Sequence, residues 1–255
     1  MYRIVKIIVI DILKSKFVLF YTLMLLVISG SVFSLEDNNA KGLLSLLNVV
    51  LLTIPLVSIM FTTSYIYNSS EFIELLIGQP IRRDRIWISF YVGLCLSLAL
   101  AFLLGTGIPI IVFERSAVGW MMLLVGVLIT IVFISLAMLC AIFTRDKARG
   151  IGASIMLWLF FSILFDGIVL FLLFQLSDYP IEKMMIGISV LNPIGLARIL
   201  ILLHLDISAM MGYAGAVFKV FFGTVDGILL SFLVLLAWAI LPFLVSLRKF
   251  RKKDL

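Results

Sequence analysis

Six uninterrupted apolar runs dominate this chain, and each is long enough to cross a lipid bilayer as a helix. A hydrocarbon core of about 30 Å needs about 20 helical residues at a rise of about 1.5 Å each. Runs near Phe17–Leu35, Leu43–Ile66, Trp87–Phe113, Gly119–Phe143, Ile151–Phe174 and Ile228–Leu247 meet that length. They are apolar on every face, whereas a membrane barrel alternates with a period of two. Composition closes off the soluble alternatives. Of 255 residues, 64% are hydrophobic and 13% charged, more apolar surface than a water-soluble fold of this size can hide. The sequence therefore predicts an all-α polytopic membrane protein, a single transmembrane domain over residues 1–255 with six transmembrane helices. In such a chain the net charge of +6 points to anchored membrane loops rather than to nucleic acid.

Basic residues set the orientation. Placing the N-terminus inside puts fifteen of the twenty Lys and Arg on the cytoplasmic side. They fall in four groups: Arg3, Lys6, Lys14 and Lys16; Arg82, Arg83 and Arg85; Arg145, Lys147 and Arg149; and Arg248, Lys249, Arg251, Lys252 and Lys253. Lys41, Arg115, Lys183, Arg198 and Lys219 remain on the other side. This is a strong positive-inside bias, and an even number of spans keeps both termini cytoplasmic. A seventh span within 175–227 would carry the C-terminal basic cluster outside, so none is expected.

The first sixteen residues carry charge like a signal peptide, but the apolar run after them is too long and lacks a convincing cleavage site. Residues 1–16 read as an interfacial helix with Arg3, Lys6, Asp11 and Lys14 towards one side and Ile and Val opposite. A plain cytoplasmic extension of the first span is the competing reading. Residues 175–227 are too apolar for a solvated linker and read as a membrane-associated outer segment. Breaks are expected at Ser177-Asp178-Tyr179-Pro180, Asn192-Pro193 and His204-Leu205-Asp206. Met184–Leu191 and Ala209–Phe222 are expected to lie on the outer leaflet or dip into it.

No catalytic constellation is present. One histidine excludes His-cluster metal sites. There is no GxSxG elbow and no GxxxxGK[ST] phosphate loop. Cys95 and Cys140 both sit inside apolar runs without a CxxC. The informative stretch is the inner loop 67–86. Asn68 or a following serine can cap a helix there, and Glu71 and Glu74 suit its positive end. Gly78 and Pro80 stop it. The expected product is a two-turn helix that presents Phe72, Leu75 and Leu76, flanked by Ile73, Gln79, Arg82 and Arg83. Alone in water it is too short to persist, so it needs a docking partner or a lipid surface. The second inner loop, with Arg145, Asp146, Lys147 and Arg149, reads either as a further contact for that partner or as a solvated turn.

Gly93, Ser97, Ala101 and Gly105 recur every fourth residue on one face of the third span, a stripe that permits close helix packing within the chain or at a dimer seam. Asp166, near the outer end of the fifth span, reads as a structural or interfacial carboxylate, with a proton or ion pathway as the alternative. His204 lies among Met184, Met185, Met210 and Met211. Those residue types suit copper(I), but methionine in an apolar segment packs, so no metal site is expected.

Six spans, an N-terminal interfacial segment, a helix in the first inner loop and a broken apolar segment before the last span together resemble the type-2 ABC transporter permeases. The run Glu71-Phe72-Ile73-Glu74-Leu75-Leu76-Ile77-Gly78-Gln79-Pro80-Ile81-Arg82-Arg83 is similar to that family's coupling-helix region. Leu191-Asn192-Pro193-Ile194-Gly195-Leu196-Ala197-Arg198 and the Phe250–Leu255 tail look like the branch that serves nitrous oxide reductase maturation, although Gly195 stands where that branch commonly carries Asp. The resemblance implies a homodimeric permease in a bacterial inner membrane, without a cofactor of its own. Two separate ATPase subunits would bind ATP and Mg and receive the Phe72–Leu76 helix. It further implies a periplasmic accessory protein on the outer surface, met around Asn192, Pro193 and Arg198, and a role in assembling a copper–sulfur centre. A general exporter of lipid, peptide or drug is the alternative within the family. An ion-coupled secondary transporter is the alternative outside it, and it predicts an inverted repeat that the sequence lacks.

Overall fold

The computed structural model describes residues 2–36, 39–175, 187–205 and 224–252. Among these every regular element is helical: α1 (Tyr2–Lys14), α2 (Lys16–Leu35), α3 (Asn39–Asn68), α4 (Ser70–Ile77), α5 (Arg83–Phe102), α6 (Ile108–Phe113), α7 (Ala117–Phe143), α8 (Lys147–Leu159), α9 (Phe165–Gln175), α10 (Pro193–His204) and α11 (Val225–Lys252). Single π turns, Leu103–Gly107 and Phe160–Leu164, join α5 to α6 and α8 to α9. Six helical stretches are long and apolar enough to span a membrane: Lys16–Leu35, Lys41–Asn68, Arg83–Phe113, Ala117–Phe143, Lys147–Leu172 and Asp226–Lys252. The protein is a multi-pass membrane protein. The expected breaks at Ser177–Pro180 and Asp206, the helical pieces at 184–186 and 209–222, and Met184, Met185, Met210 and Met211 lie outside the described residues.

Local chemistry explains where the helices begin. Ser15 separates α1 from α2, and its hydroxyl accepts from the Val18 N–H. Ser116 does the same for α7 through Gly119 N–H, and Asp146 for α8 through Ala148 N–H. Each satisfies a donor that the first turn leaves open. Within the spans, hydroxyls bond back to the carbonyl four residues earlier, as Thr53, Thr63, Ser97 and Thr130 do. That keeps a polar atom satisfied where no water is available.

The helix α7 is the centre of the bundle. Two thirds of its most apolar stretch is buried (67%), against 6% for the fifth span. Glycines let neighbours close in on it: Gly126 faces the Phe102 ring so closely that any added methyl collides with it. The stripe on the third span lies within the chain. Gly93, Ser97, Ala101 and Gly105 are all buried. A Cβ on Gly93 would meet Ile8 Cγ2 at 2.6 Å, and one on Gly105 would meet Leu25 Cβ at 2.7 Å. The stripe therefore seats α1 at one end and α2 at the other. Ile4, Ile8 and Ile12 of α1 are buried in that packing, while Ile7 and Ile10 stay exposed.

Each π turn frees a carbonyl from the regular ladder, and a side chain from elsewhere reaches each region. The Ser29 hydroxyl lies 3.0 Å from the Gly105 carbonyl, and Asn192 Nδ2 donates to the Phe161 carbonyl at 3.0 Å.

Candidate docking site at the basic end of the bundle

The last turns of α3 and α11, the first turns of α5 and α8, and the short helix α4 meet at one end of the bundle, where most of the basic residues gather. Here α4 spans eight residues with Glu71 in its first turn. Neither expected cap forms. Ser69 occupies the N-cap position without a side-chain cap bond, and Asn68 closes α3, where its Oδ1 accepts from Lys147 Nζ at 2.6 Å. That bond ties the start of α4 to the second loop.

The burial of α4 corrects one expectation. Leu76 is not presented outward: it is 6% exposed, as is Ile73, and both pack into the chain. Phe72 is half-buried, its ring 6.2 Å from that of Phe90 on α5. Leu75 remains 70% exposed. It lines a shallow depression of about 610 Å³ with Glu71, Glu74, Gly78 and Gln79. The outer face of α4 is thus one large apolar side chain ringed by two carboxylates and an amide.

A second cleft, about 320 Å³, runs behind α4 and is lined by Ser70, Glu74, Tyr67, Thr144, Arg145, Trp87 and Phe250, among others. It brings the two loops together, with Glu74 and Arg145 lining the same space. The Thr144 hydroxyl reaches the Cys140 carbonyl at 2.8 Å and shares a hydrogen bond with the Tyr67 hydroxyl beside it. Trp87 donates to the Ser246 hydroxyl at 3.0 Å and stacks on Phe250 at 4.4 Å between centroids. Arg251 pairs with Asp84, and Arg83 donates to the Arg251 carbonyl at 3.4 Å. Arg82 stands 3.9 Å from Asp84, and Arg149 stands 3.9 Å from Asp146. The arginines of these pairs stand mostly in solvent, whereas Asp84 is 19% exposed; the Arg149–Asp146 pair, exposed on both sides, holds little energy.

Sequence reasoning missed Tyr65, Tyr67, Trp87 and Phe250. Aromatic residues at helix ends beside basic residues are the mark of an interfacial belt, and that signal was available.

At the opposite end, two residues of the expected outer contact surface lie inside the chain, and the third, Arg198, is partly exposed. Asn192 is 1% exposed and Pro193 is buried. Asn192 starts α10: its Oδ1 accepts from the Ile194 N–H at 3.0 Å while its Nδ2 serves the π turn of the fifth span. Arg198 Nη1 pairs with Asp166 Oδ2 at 2.7 Å, and Asn192 Nδ2 approaches the other Asp166 oxygen at 3.5 Å. These residues fasten α10 to the fifth span because a hydrogen-bonded pair is the cheapest state for charge at this depth. His204 closes α10 with Nδ1 3.0 Å from the Leu200 carbonyl. Among the described residues no group of three or more His, Cys, Asp or Glu side chains is placed to hold a metal ion.

The sequence profile of the ABC-2 family transporter proteins matches residues 11–255. The chain belongs to the ABC-2 family. It is the non-catalytic transmembrane permease subunit of an ABC-2 type transporter, a family whose permeases pair with ABC ATPase subunits. A probable ABC transporter permease protein, NosY, from Pseudomonas aeruginosa is 28% identical over 180 residues, 66% of each chain. The alignment thus covers slightly less than two thirds of that relative.

Proposed function

We propose that the exposed face of α4 is the contact through which separate ATPase subunits drive this permease. The carrying observation is the division of α4 into two faces: Ile73 and Leu76 are locked into the bundle while Leu75 stands outside it. A helix held rigidly on one side and apolar on the other transmits displacement instead of absorbing it. Phe72 hands that displacement to Phe90 and, through Tyr65 at 6.3 Å from Phe90, to the end of α3. The second loop joins the same contact through Arg145 and the Lys147–Asn68 bond. Nucleotide can shift the spans only if this contact differs between states.

In this reading the basic end, with both termini, faces the cytoplasm of a bacterial cell. Two copies of the chain form the permease, and the sparsely buried fifth span with its exposed Phe160, Leu170 and Phe171 offers the apolar surface a second copy needs. The likeness to NosY and the 191–198 run support service in nitrous oxide reductase maturation, with a periplasmic accessory protein on the outer side. Transport and mechanical work outward are both compatible with such a relay.

The test is Leu75→Asp. The residue is already exposed, so membrane insertion and the fold are expected to survive. Loss of a buried leucine at the contact weakens ATPase binding by about 1.5–3 kcal/mol, enough to abolish co-purification. Undiminished recovery of the ATPase subunits with the variant contradicts the docking role. Deletion in a nitrous-oxide-respiring host is expected to leave a reductase without its copper–sulfur centre; a fully assembled reductase there sinks the maturation assignment alone.

A further inference from the structure

A third cleft at the basic end, about 670 Å³, lies where α1, α2 and the end of α3 converge, and docking at α4 does not use it. Its walls change character along their length. At the outer end stand Lys14 and Lys16, the last residue of α1 and the first of α2, with the hydroxyl-bearing side chains of Ser15, Ser64 and Ser69. At the inner end stand Phe17, Met60 and Phe61, with the Phe17 and Phe61 rings stacked 5.4 Å apart. Seven residues separate Phe61 from Asn68, where the second span ends, a depth of about 10 Å along the helix. The cleft therefore runs from the polar end of the second span towards its apolar stretch.

Charge narrows the occupant. Lys14 and Lys16 are both exposed, and among the described residues no ion pair includes either of them. One carboxylate, Asp11, lines the same cleft, and its Oδ2 accepts from the Tyr65 hydroxyl at 2.9 Å. Two lysines against one carboxylate leave one positive charge over. A matching ligand carries one negative charge at the surface and apolar chain beneath it.

We propose that this cleft binds an anionic glycerophospholipid from the leaflet that meets α4. The phosphodiester lies between Lys14 and Lys16 with serine hydroxyls as further donors, and an acyl chain follows the Phe17–Phe61 floor inward. Basic pockets between spans at the membrane surface recognise anionic headgroups in this way. Ser69 lines the cleft and also begins α4, so an occupied cleft braces the root of that helix. The binding itself does not depend on what α4 contacts.

The test uses the full chain purified in detergent, with thermal stability followed during titration of short-chain phosphatidylglycerol, short-chain phosphatidylcholine, glycerol phosphate or inorganic phosphate. The expected result is saturable stabilisation by phosphatidylglycerol well ahead of the other three. Lys14→Gln/Lys16→Gln weakens it about 30-fold, the equivalent of about 1 kcal/mol per lysine. Lys14→Arg/Lys16→Arg restores it, which separates lost charge from lost fold. Arg3→Gln/Lys6→Gln removes the same charge from the far turns of α1 and leaves the titration unchanged. Equal stabilisation by phosphatidylcholine, or equal weakening by the Arg3/Lys6 variant, overturns the site. Glycerol phosphate or inorganic phosphate binding as well as the lipid overturns the lipid assignment in favour of a free anion.

Discussion

Replacing Gly150 with alanine tests how the two loops at the basic end are clamped together. Gly150 lies in the first turns of α8, where its N–H donates to the Asp146 carbonyl at 2.9 Å. A Cβ there would stand 2.5 Å from Tyr67 Cε2 and 2.6 Å from Cζ, with the hydroxyl oxygen nearer still. A tyrosine ring set between helices cannot yield as a flexible chain does. Accommodating the methyl forces the ring aside, at about 1–3 kcal/mol for overpacking. It also breaks the Tyr67–Thr144 bond, a further loss of about 1 kcal/mol. Against this stands the helix preference for alanine over glycine, about 1 kcal/mol. The net expectation is destabilisation of about 1–3 kcal/mol. Reversible unfolding in mixed micelles measures it. In a Tyr67→Leu background the obstruction is gone, and Gly150→Ala is expected to be neutral or stabilising, a coupling well above the few tenths expected of independent sites. If Gly150→Ala stabilises both backgrounds equally, the Tyr67 clamp does not exist.

Other perturbations have separate outcomes. Asp166→Asn is expected to keep ATP-driven coupling, because Asn192 and Arg198 retain an oxygen acceptor beside them; complete loss of coupled activity in a folded variant would revive an ion pathway through the fifth span. Arg198→Met leaves the Asp166 charge alone at the edge of the membrane. With both side chains about one third exposed, the expected cost is about 1–3 kcal/mol, below that of a fully buried pair, and unfolding midpoints measure it. Trp87→Phe keeps the stacking on Phe250 but loses the bond to Ser246, for about 1 kcal/mol; an unchanged midpoint would mean that the bond contributes nothing.

The six spans were legible because a bilayer demands a length that few other structures require, and the apolar runs supply it. The position of α4 was legible too, bounded by Ser69 and Ser70 on one side and Gly78 and Pro80 on the other. Its buried face was partly legible: Ser70, Glu71 and Glu74 share one side of the helix, which turns Phe72, Ile73 and Leu76 towards the bundle. Leu75 borders the polar side, and the packing of α5 and the end of α3 leaves it outside. The bonds that Asn192 and Arg198 make to the fifth span were not legible. Their partners stand 31 and 32 positions away at Phe161 and Asp166, and only the folded chain brings them together. One π turn has a mark in the sequence, since Pro109 has no N–H to give the Gly105 carbonyl four residues earlier; the other, Phe160–Leu164, has none, and its carbonyl is met by Asn192 from a distant part of the chain.

The claim on which the functional account rests is that Leu75 touches the ATPase subunit. A photo-reactive side chain placed at position 75, in the permease assembled with its ATPase subunits in native membranes, examines that contact directly. The account predicts a crosslink to the ATPase subunit whose yield changes when ATP is added, and no such crosslink from the buried position 76. Crosslinks from position 75 to lipid alone, with or without nucleotide, would contradict it.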